Sequence, residues 1–373
     1  MQIVNGFAVV IRFMTGSPDV SVLISVYNEE PYVEEAIESI LTQTYDDFEL
    51  VVIDDGSTDG TRARLRNVDD PRMKYVENDR NVGFVRTLNQ GLDMCSGKYV
   101  ARMDADDVAR RDRIEKQVRF LESHPEVGIV GSYWENFADE TESTQLVTVP
   151  ETDAEIRWNV LLHCPFGHPT VLLRRRVLED KDLRYSPHYS EIEDYELWPR
   201  VLKHTQGANI PEPLLAHRVH EDSRYQQNLV DLLREHDKIA LRTIREYVPE
   251  FETTQEEVSR LRVLVGGSEE FAPYDPRERT VELVERYLEL LGEFAETHRG
   301  GAGLDAAKRT GVETAVSLLF NESVKGTSPL DVGNHLRVSN ALARAMELHP
   351  QATIEETSAT FGSTVKRRIE DRL

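Results

Sequence analysis

KYVARMDADD, residues 98–107, reads as a short buried strand that runs straight into three carboxylates. In an extended chain residues i and i+2 face the same way, so Asp104 and Asp106 project together from the strand end. Two converging carboxylates repel unless a cation sits between them, and hard oxygen donors suit Mg²⁺ or Mn²⁺. The plainer alternative is an acidic turn that caps the next helix through Asp107 or Asp112. An Asp-x-Asp alone does not choose between the two; its setting does.

Working outward, the chain alternates strand and helix. VSVLISV (20–26) is a continuous apolar run, as a strand buried on both faces of a parallel sheet requires. Residues 30–42 follow with Val33, Ile37, Ile40 and Leu41 at helical spacing. FELVVID (48–54) is the next buried strand, and Ser57 or Thr58 is placed to cap a helix over 60–67. MKYVEN, KYVARMD and VGIVGSYW (127–134) continue the strands, and 82–93 and 113–123 the helices. This alternation predicts a doubly wound α/β domain with a mostly parallel, Rossmann-like sheet. Ligands bind such sheets beyond the carboxyl ends of the strands, where Tyr27-Asn28-Glu29, Asp54-Asp55, residues 78–81 and residues 104–107 lie.

The organisation changes after about residue 144. Shorter strand candidates, TVLLRR and PLLAHRVH, and a helix over 194–204 occupy residues 150–225. Beyond Tyr225 the pattern is helical: 229–247, 254–265, 277–296, 303–320 and 334–347, with breaks at Gly266-Gly267 and Gly300-Gly301. Val281, Leu283, Val284, Tyr287, Leu288 and Leu291 form an apolar stripe suited to a core or a dimer face, and its acidic flanks disfavour a membrane-surface helix.

The 373 residues carry a formal net charge of −23, and nine of the 44 basic residues are lysine. That balance speaks against a general nucleic-acid partner. It suits a halophilic surface, because at molar salt the Debye length falls to about 3 Å and self-repulsion is screened. Cys95 and Cys164 make neither a disulfide framework nor a zinc pattern, which points to a reducing cytoplasm. The opening IVNGFAVVIRFM, broken by Asn5, Gly6 and Arg12, reads as an N-terminal extension (1–18) rather than a signal peptide, and Met14 would also serve as a start.

Residues 19–225 resemble the inverting family-2 glycosyltransferases, whose catalytic domain has the GT-A fold. The resemblance rests on VSVLISVYNEEPYVEEAIESILTQTYDDFELVVIDDGSTDGT, on ENDRNVGFVRTLNQGLDMCSGKYVARMDADD, and on EDYELWPR followed by HRVHEDS. It implies a nucleotide-binding half (19–110) and an acceptor half (111–225); it does not cover the last 150 or so residues, which stay an acidic helical region of unknown role (226–373).

By this resemblance Ser25, Tyr27 and Asp55 line the base pocket. The Tyr27 ring offers a face for stacking, and Asp55 can accept the imide N–H of uracil. The turn-rich DDGSTDG also leaves one of Asp54 and Asp55 as a plain turn residue. Arg80 is placed near the diphosphate, which its guanidinium suits. Asp104 and Asp106 match the metal motif, with Asp107 open as an alternative ligand and His220 as a third one. Arg111 stands where the family usually has proline. Asp194 matches the catalytic base, with Glu193 next in line, at a helix start whose dipole favours the charged form. Trp198 and Arg200 are expected to shape the acceptor or sugar pocket, and His168 the floor of the acceptor side.

The expectation is a metal-dependent inverting transferase moving a sugar from a nucleoside diphosphate carrier, UDP first, to a glycan or lipid-linked acceptor. It would work in the cytoplasm or at the cytoplasmic face of the membrane, with peripheral association and a homodimer through the helical tail both open. The rivals are a sugar nucleotidyltransferase and a non-catalytic scaffold. The first needs a Gly-rich basic loop where Tyr27-Asn28-Glu29-Glu30 stands, and the second is disfavoured by intact Asp104, Asp106 and Asp194.

Overall fold

The computed structural model describes residues 2–4, 7–10, 17–139, 143–219, 229–266, 280–325 and 332–357. The chain divides into two compact units: Met1–Glu151 with Cys164–Gln227, and Thr152–His163 with Asn228–Leu373.

The first unit is built on one sheet. Its strands are β1 (Gln2–Val4), β2 (Phe7–Val10), β3 (Val20–Val26), β4 (Phe48–Asp54), β5 (Met73–Glu77), β6 (Tyr99–Met103), β7 (Val108–Ala109), β8 (Val127–Phe137), β9 (Gln145–Val147), β10 (Leu172–Arg174) and β11 (Gln206–Arg218). Its helices are α1 (Val33–Leu41), α2 (Thr61–Arg66), α3 (Phe84–Met94), α4 (Arg113–Ser123), α6 (Arg175–Glu179) and α7 (Glu193–Leu202); α5 (Asp153–Asn159) belongs to the other unit. The strand order is β1-β2-β5-β4-β3-β6-β10-β8-β11-β7, with β9 on β8. The centre, β5-β4-β3-β6, is parallel as the apolar runs require. Every residue of β3 and β4 is buried, and Val20, Val22, Ile24, Val26, Phe48, Leu50 and Val52 on one face form one continuous core with α1 and α4. Each such side chain contributes about 1.5–3 kcal/mol on burial.

Beyond β6 the sheet becomes mixed. β10 enters antiparallel to both β6 and β8, and β11 then lies parallel to β8. Register shifts fall on either side of Pro213 in β11. Proline has no N–H for the ladder, so the strand bulges there. Its second half pairs with β7, and its end reaches the carboxylates after β6. Behind them Arg113 is fully buried, donates to the Arg102 carbonyl at 2.8 Å and lies beside Gln117, which bonds the Thr170 carbonyl at 2.7 Å.

Two caps differ from expectation. The residue before α2 is Gly60, because Ser57 and Thr58 are engaged by Asn28. Asp112 occupies the N-cap position of α4 without a side-chain cap bond, and Asp107 is committed elsewhere.

The second unit is helical: α5 with α8 (Leu229–Tyr247), α9 (Gln255–Gly266), α10 (Thr280–Thr297), α11 (Leu304–Lys325) and α12 (Val332–Leu348). A reciprocal Thr152–Glu155 capping box starts α5. Trp158 of α5 meets Tyr287 and Phe294 of α10 edge-on or tilted, at 5.2 and 5.4 Å between centroids. Leu283, Val284, Tyr287, Leu288 and Leu291 are all buried, so that stripe is core. No described helix is long and apolar enough to cross a membrane.

Candidate active site

β3 is the axis of the site. Its register sets Val26 beside Asp54 of β4 and Ile24 beside Met103 of β6, so Tyr27, Asp55 and Asp104 leave the sheet at one edge. With strands about 4.8 Å apart, the backbones at Asp55 and Asp104 stand about 10 Å apart across β3.

On the β4 side the loops are locked to one another. Asn28 has φ 56°, a left-handed turn that asparagine tolerates. Its N–H donates to Ser57 Oγ at 2.9 Å, and its Oδ1 accepts from the Thr58 N–H at 2.8 Å. Asp54 is the turn residue: Oδ1 accepts from the Ser57 N–H at 3.0 Å and Oδ2 from Arg62 at 2.8 Å. Asp55 organises the next loop, accepting from Asn78 Nδ2 and from the Val82 and Gly83 N–H groups, each at 2.9 Å. An ionised carboxylate has about four acceptor positions, so one stays open for a ligand donor. Gly56 makes this possible: its φ is 80°, and a Cβ there would lie 2.4 Å from the Arg80 carbonyl carbon. Arg80 is exposed at this loop, Ser25 is buried at the edge, and Tyr27 is 38% exposed although aromatic.

On the β6 side three carboxylates converge. Asp104, Asp106 and Asp107 each offer an oxygen, all within 4.8 Å of one another. Asp104 is gripped by both terminal nitrogens of Arg102, one at 2.5 Å. Burial opposes charge on Arg102, but Asp104 outweighs it and raises the guanidinium pKa. Asp107 is completely buried; its Oδ1 accepts from His217 Nδ1 at 2.9 Å and from the Arg218 N–H at 3.0 Å. Its Oδ2 is buried with no hydrogen-bond partner among the described residues. Burial lifts the Asp107 pKa to about 6 against the pull of His217, with Asp104 and Asp106 adding to the rise. For His217 burial acts downward, and the bond and charge of Asp107 overcome it, holding the imidazole at about 9. Arg218 binds the Asp106 carbonyl at 2.9 Å and pairs with Glu35 and Asp139. The orphan oxygen and the all-oxygen donor set fit a hard divalent cation. His220, expected as a further ligand, lies outside the described residues.

A third group stands on α7. Asp194 is the second residue of the helix and not its N-cap, which is Ile192, with no side-chain cap bond. Its Oδ1 accepts from the Tyr195 N–H at 2.7 Å, and its Oδ2 lies 3.5 Å from the Cys164 sulfur. The helix-dipole expectation of a favoured charged form is outweighed. Burial raises the Asp194 pKa, His168 acts downward and Glu193 upward. Burial also keeps Cys164 a thiol, well above its ordinary range. Glu193 is buried, with Oε1 3.3 Å from His168 Nδ1, while His168 Nε2 meets the Tyr185 hydroxyl at 2.9 Å. Tyr185 is tied to α3 through both amide atoms of Asn89, at 2.9 and 3.1 Å. Trp198 is fully buried against Phe166, His168 and Tyr185, so it backs this wall rather than facing a cavity. Arg200 is spent on Glu196 and the Arg184 carbonyl.

The sequence reading passed over Arg102, Cys164, Tyr185, His217 and Arg218. Arg102, a charge inside an otherwise apolar strand and two residues before Asp104, carried a usable signal. The others are set by long-range packing.

A mixed sheet with acidic loops at the carboxyl edge of its parallel centre is the arrangement that the resemblance to GT-A glycosyltransferases implies. The model of the family described as glycosyl transferase family 2 matches residues 21–181. An uncharacterized glycosyltransferase of Haemophilus influenzae is 38% identical over 219 residues, 56% of this chain and 67% of that protein. The Escherichia coli protein WfgD, named a UDP-Glc:alpha-D-GlcNAc-diphosphoundecaprenol beta-1,3-glucosyltransferase, is 31% identical over 185 residues, 49% of this chain and 70% of that one. S. aureus TarS 1–349, solved with UDP-GlcNAc, superposes with a TM-score of 0.53 at 16% identity, covering 91% of this chain and 92% of that one. The chain belongs to glycosyl transferase family 2.

Proposed function

We propose that the protein is a metal-dependent, inverting glycosyltransferase that moves a sugar from a UDP-sugar to a hydroxyl of a lipid-linked glycan. The observation that carries this reading is the buried, unpartnered Oδ2 of Asp107 beside Asp104 and Asp106, at the same sheet edge as Tyr27 and Asp55. Mg²⁺ or Mn²⁺ would be held by Asp106 and Asp107 with Asp104, and as a Lewis acid would ease departure of the nucleoside diphosphate. The Arg102 grip and the His217–Arg218 clasp keep these carboxylates in place. Tyr27 stacks on the base, Asp55 accepts the uracil imide N–H, and Arg80 meets the diphosphate.

Asp194 takes the proton of the acceptor hydroxyl as that oxygen attacks the sugar from the face opposite the leaving group, which inverts the anomeric centre. Its raised pKa makes the carboxylate a stronger base than an exposed aspartate; the Tyr195 N–H fixes one oxygen, and the other, 3.5 Å from the Cys164 sulfur, is the one left to take the proton. The names of WfgD and of the TarS complex support a UDP-sugar donor, and that of WfgD a lipid-linked acceptor.

A donor screen tests the reading: release of nucleoside diphosphate from UDP-, GDP- and dTDP-sugars with Mn²⁺ or with EDTA. The expected result is cation-dependent release from a UDP-sugar, abolished in Asp106→Asn, with a product of inverted configuration by NMR. Full activity in EDTA would remove the metal assignment, and a retained configuration would remove Asp194 as the base.

A further inference from the structure

At the amino end of β6, away from the carboxylates, a cavity of about 330 Å³ is lined by Lys98, Arg174, Arg175, Arg176 and Glu179. Four cations around one cavity stand out in a chain of formal net charge −23. Arg174 is 8% exposed, and all its partners are neutral. It donates to the carbonyls of Val127 at 2.9 Å, Leu121 at 2.6 Å and His124 at 3.3 Å, and weakly to the Tyr99 hydroxyl at 3.4 Å. No carboxylate pairs with it among the described residues. The carbonyl end of α4 offsets about half an elementary charge, which leaves a buried cation undercompensated. Arg175 uses the Gly97 carbonyl at 2.6 Å and Glu179. Lys98 is 3.6 Å from Glu122, in a pair with both side chains about half exposed, and surface pairs of that kind contribute little. Arg176 is exposed.

We propose that this cavity is a second anion site and binds a phosphate or diphosphate group. The exposed Arg176 guanidinium and Lys98 ammonium can meet phosphate oxygens, with Arg174 and Arg175 adding positive charge behind them, and the volume suits a small ligand such as a diphosphate or a phosphorylated sugar. An acidic chain repels anions everywhere except where cations cluster, so the cluster confers selectivity as well as affinity. Asp104 lies six positions beyond Lys98, about 20 Å at the extended rise, so this site is distinct from the donor machinery. The group can arrive on a soluble molecule or as a lipid headgroup.

The test titrates inorganic pyrophosphate into the full chain in EDTA at ~0.1 M salt, where charge attraction still reaches about 10 Å. The Lys98→Gln/Arg176→Gln double variant alters two exposed side chains and should melt as the parent does. Saturable binding is expected in the parent and about tenfold weaker binding in the variant, with affinity for UDP in Mn²⁺ unchanged. No binding by the parent, or equal binding by both proteins, overturns the proposal. Sedimentation with phosphatidylglycerol but not phosphatidylcholine vesicles, lost in the variant, assigns the lipid source. Pyrophosphate binding without vesicle binding assigns the soluble one. Vesicle binding equal in both proteins counts against the cavity.

Discussion

Asp194→Asn separates chemistry from structure at this site. The amide keeps one oxygen to accept the Tyr195 N–H, which now bonds at 2.7 Å, and places its NH₂ toward the Cys164 sulfur at 3.5 Å, a weak acceptor. What is lost is basicity. General-base catalysis is worth about 10²–10⁴ in rate, or about 3–5 kcal/mol at 1.36 kcal/mol per decade. Stability should not fall with it. Burial raises the folded-state pKa of Asp194 above the unfolded value, so its contribution is favourable at low pH and is lost as pH rises through the folded pKa. Above that pKa the ionised side chain is therefore a liability, and removing the charge leaves the melting temperature level or higher. The same shift moves the acid limb of the parent's pH–rate profile above the ordinary carboxylate range. The assay is single-turnover transfer from the active UDP-sugar, beside donor affinity and thermal melting. A variant that melts lower yet keeps its rate would make Asp194 structural. Parallel losses of rate and donor affinity would make it a donor-binding group. Glu193→Gln is the control: with its carboxylate at His168, it should cost stability more than rate.

Three further outcomes follow from other parts of the chain. Gly56→Ala forces a side chain into φ 80° and against the Arg80 backbone at 2.4 Å, a strain of about 1–3 kcal/mol; a lower melting temperature and weaker UDP binding are expected, and an unchanged melt would refute the close approach. In the helical unit burial, with Arg262 adding to it, depresses His163 to about 4 and His236 to about 3. Their stabilisation is present above the unfolded pKa of about 6.5 and drains as pH falls toward 4, at up to about 1.4 kcal/mol per pH unit for each; circular dichroism melts should drop between pH 7 and 5, and His163→Asn should flatten that slope. If the charge of −23 is a high-salt adaptation, the melting temperature should climb steeply from dilute buffer to molar KCl, and a flat response would leave an ordinary acidic protein.

The parallel centre of the sheet was legible because strands buried on both faces must be continuously apolar; β3 and β4 fall at 20–26 and 48–54 as read. The DADD cluster and the α7 acids were legible too, since period-two spacing and helix starts are local properties. β10 was legible as a strand within TVLLRR but not in its direction: Leu-Leu-Arg carries none, and only the pairing energy of β6 and β8 on either side makes it antiparallel. The bend of β11 was half legible in Pro211 and Pro213, but where its end lands depends on β7 and β8. Ionisation was the least local property of all. Residue type says that Asp107 and Asp194 are acids. Whether each is a stabilised anion, a strained one or a base is decided by desolvation and by His217, Cys164 and His168, partners that lie 110, 30 and 26 positions away along the chain. Only the folded packing brings those groups within a few ångströms, and Coulomb and burial energies depend on that distance rather than on separation in sequence.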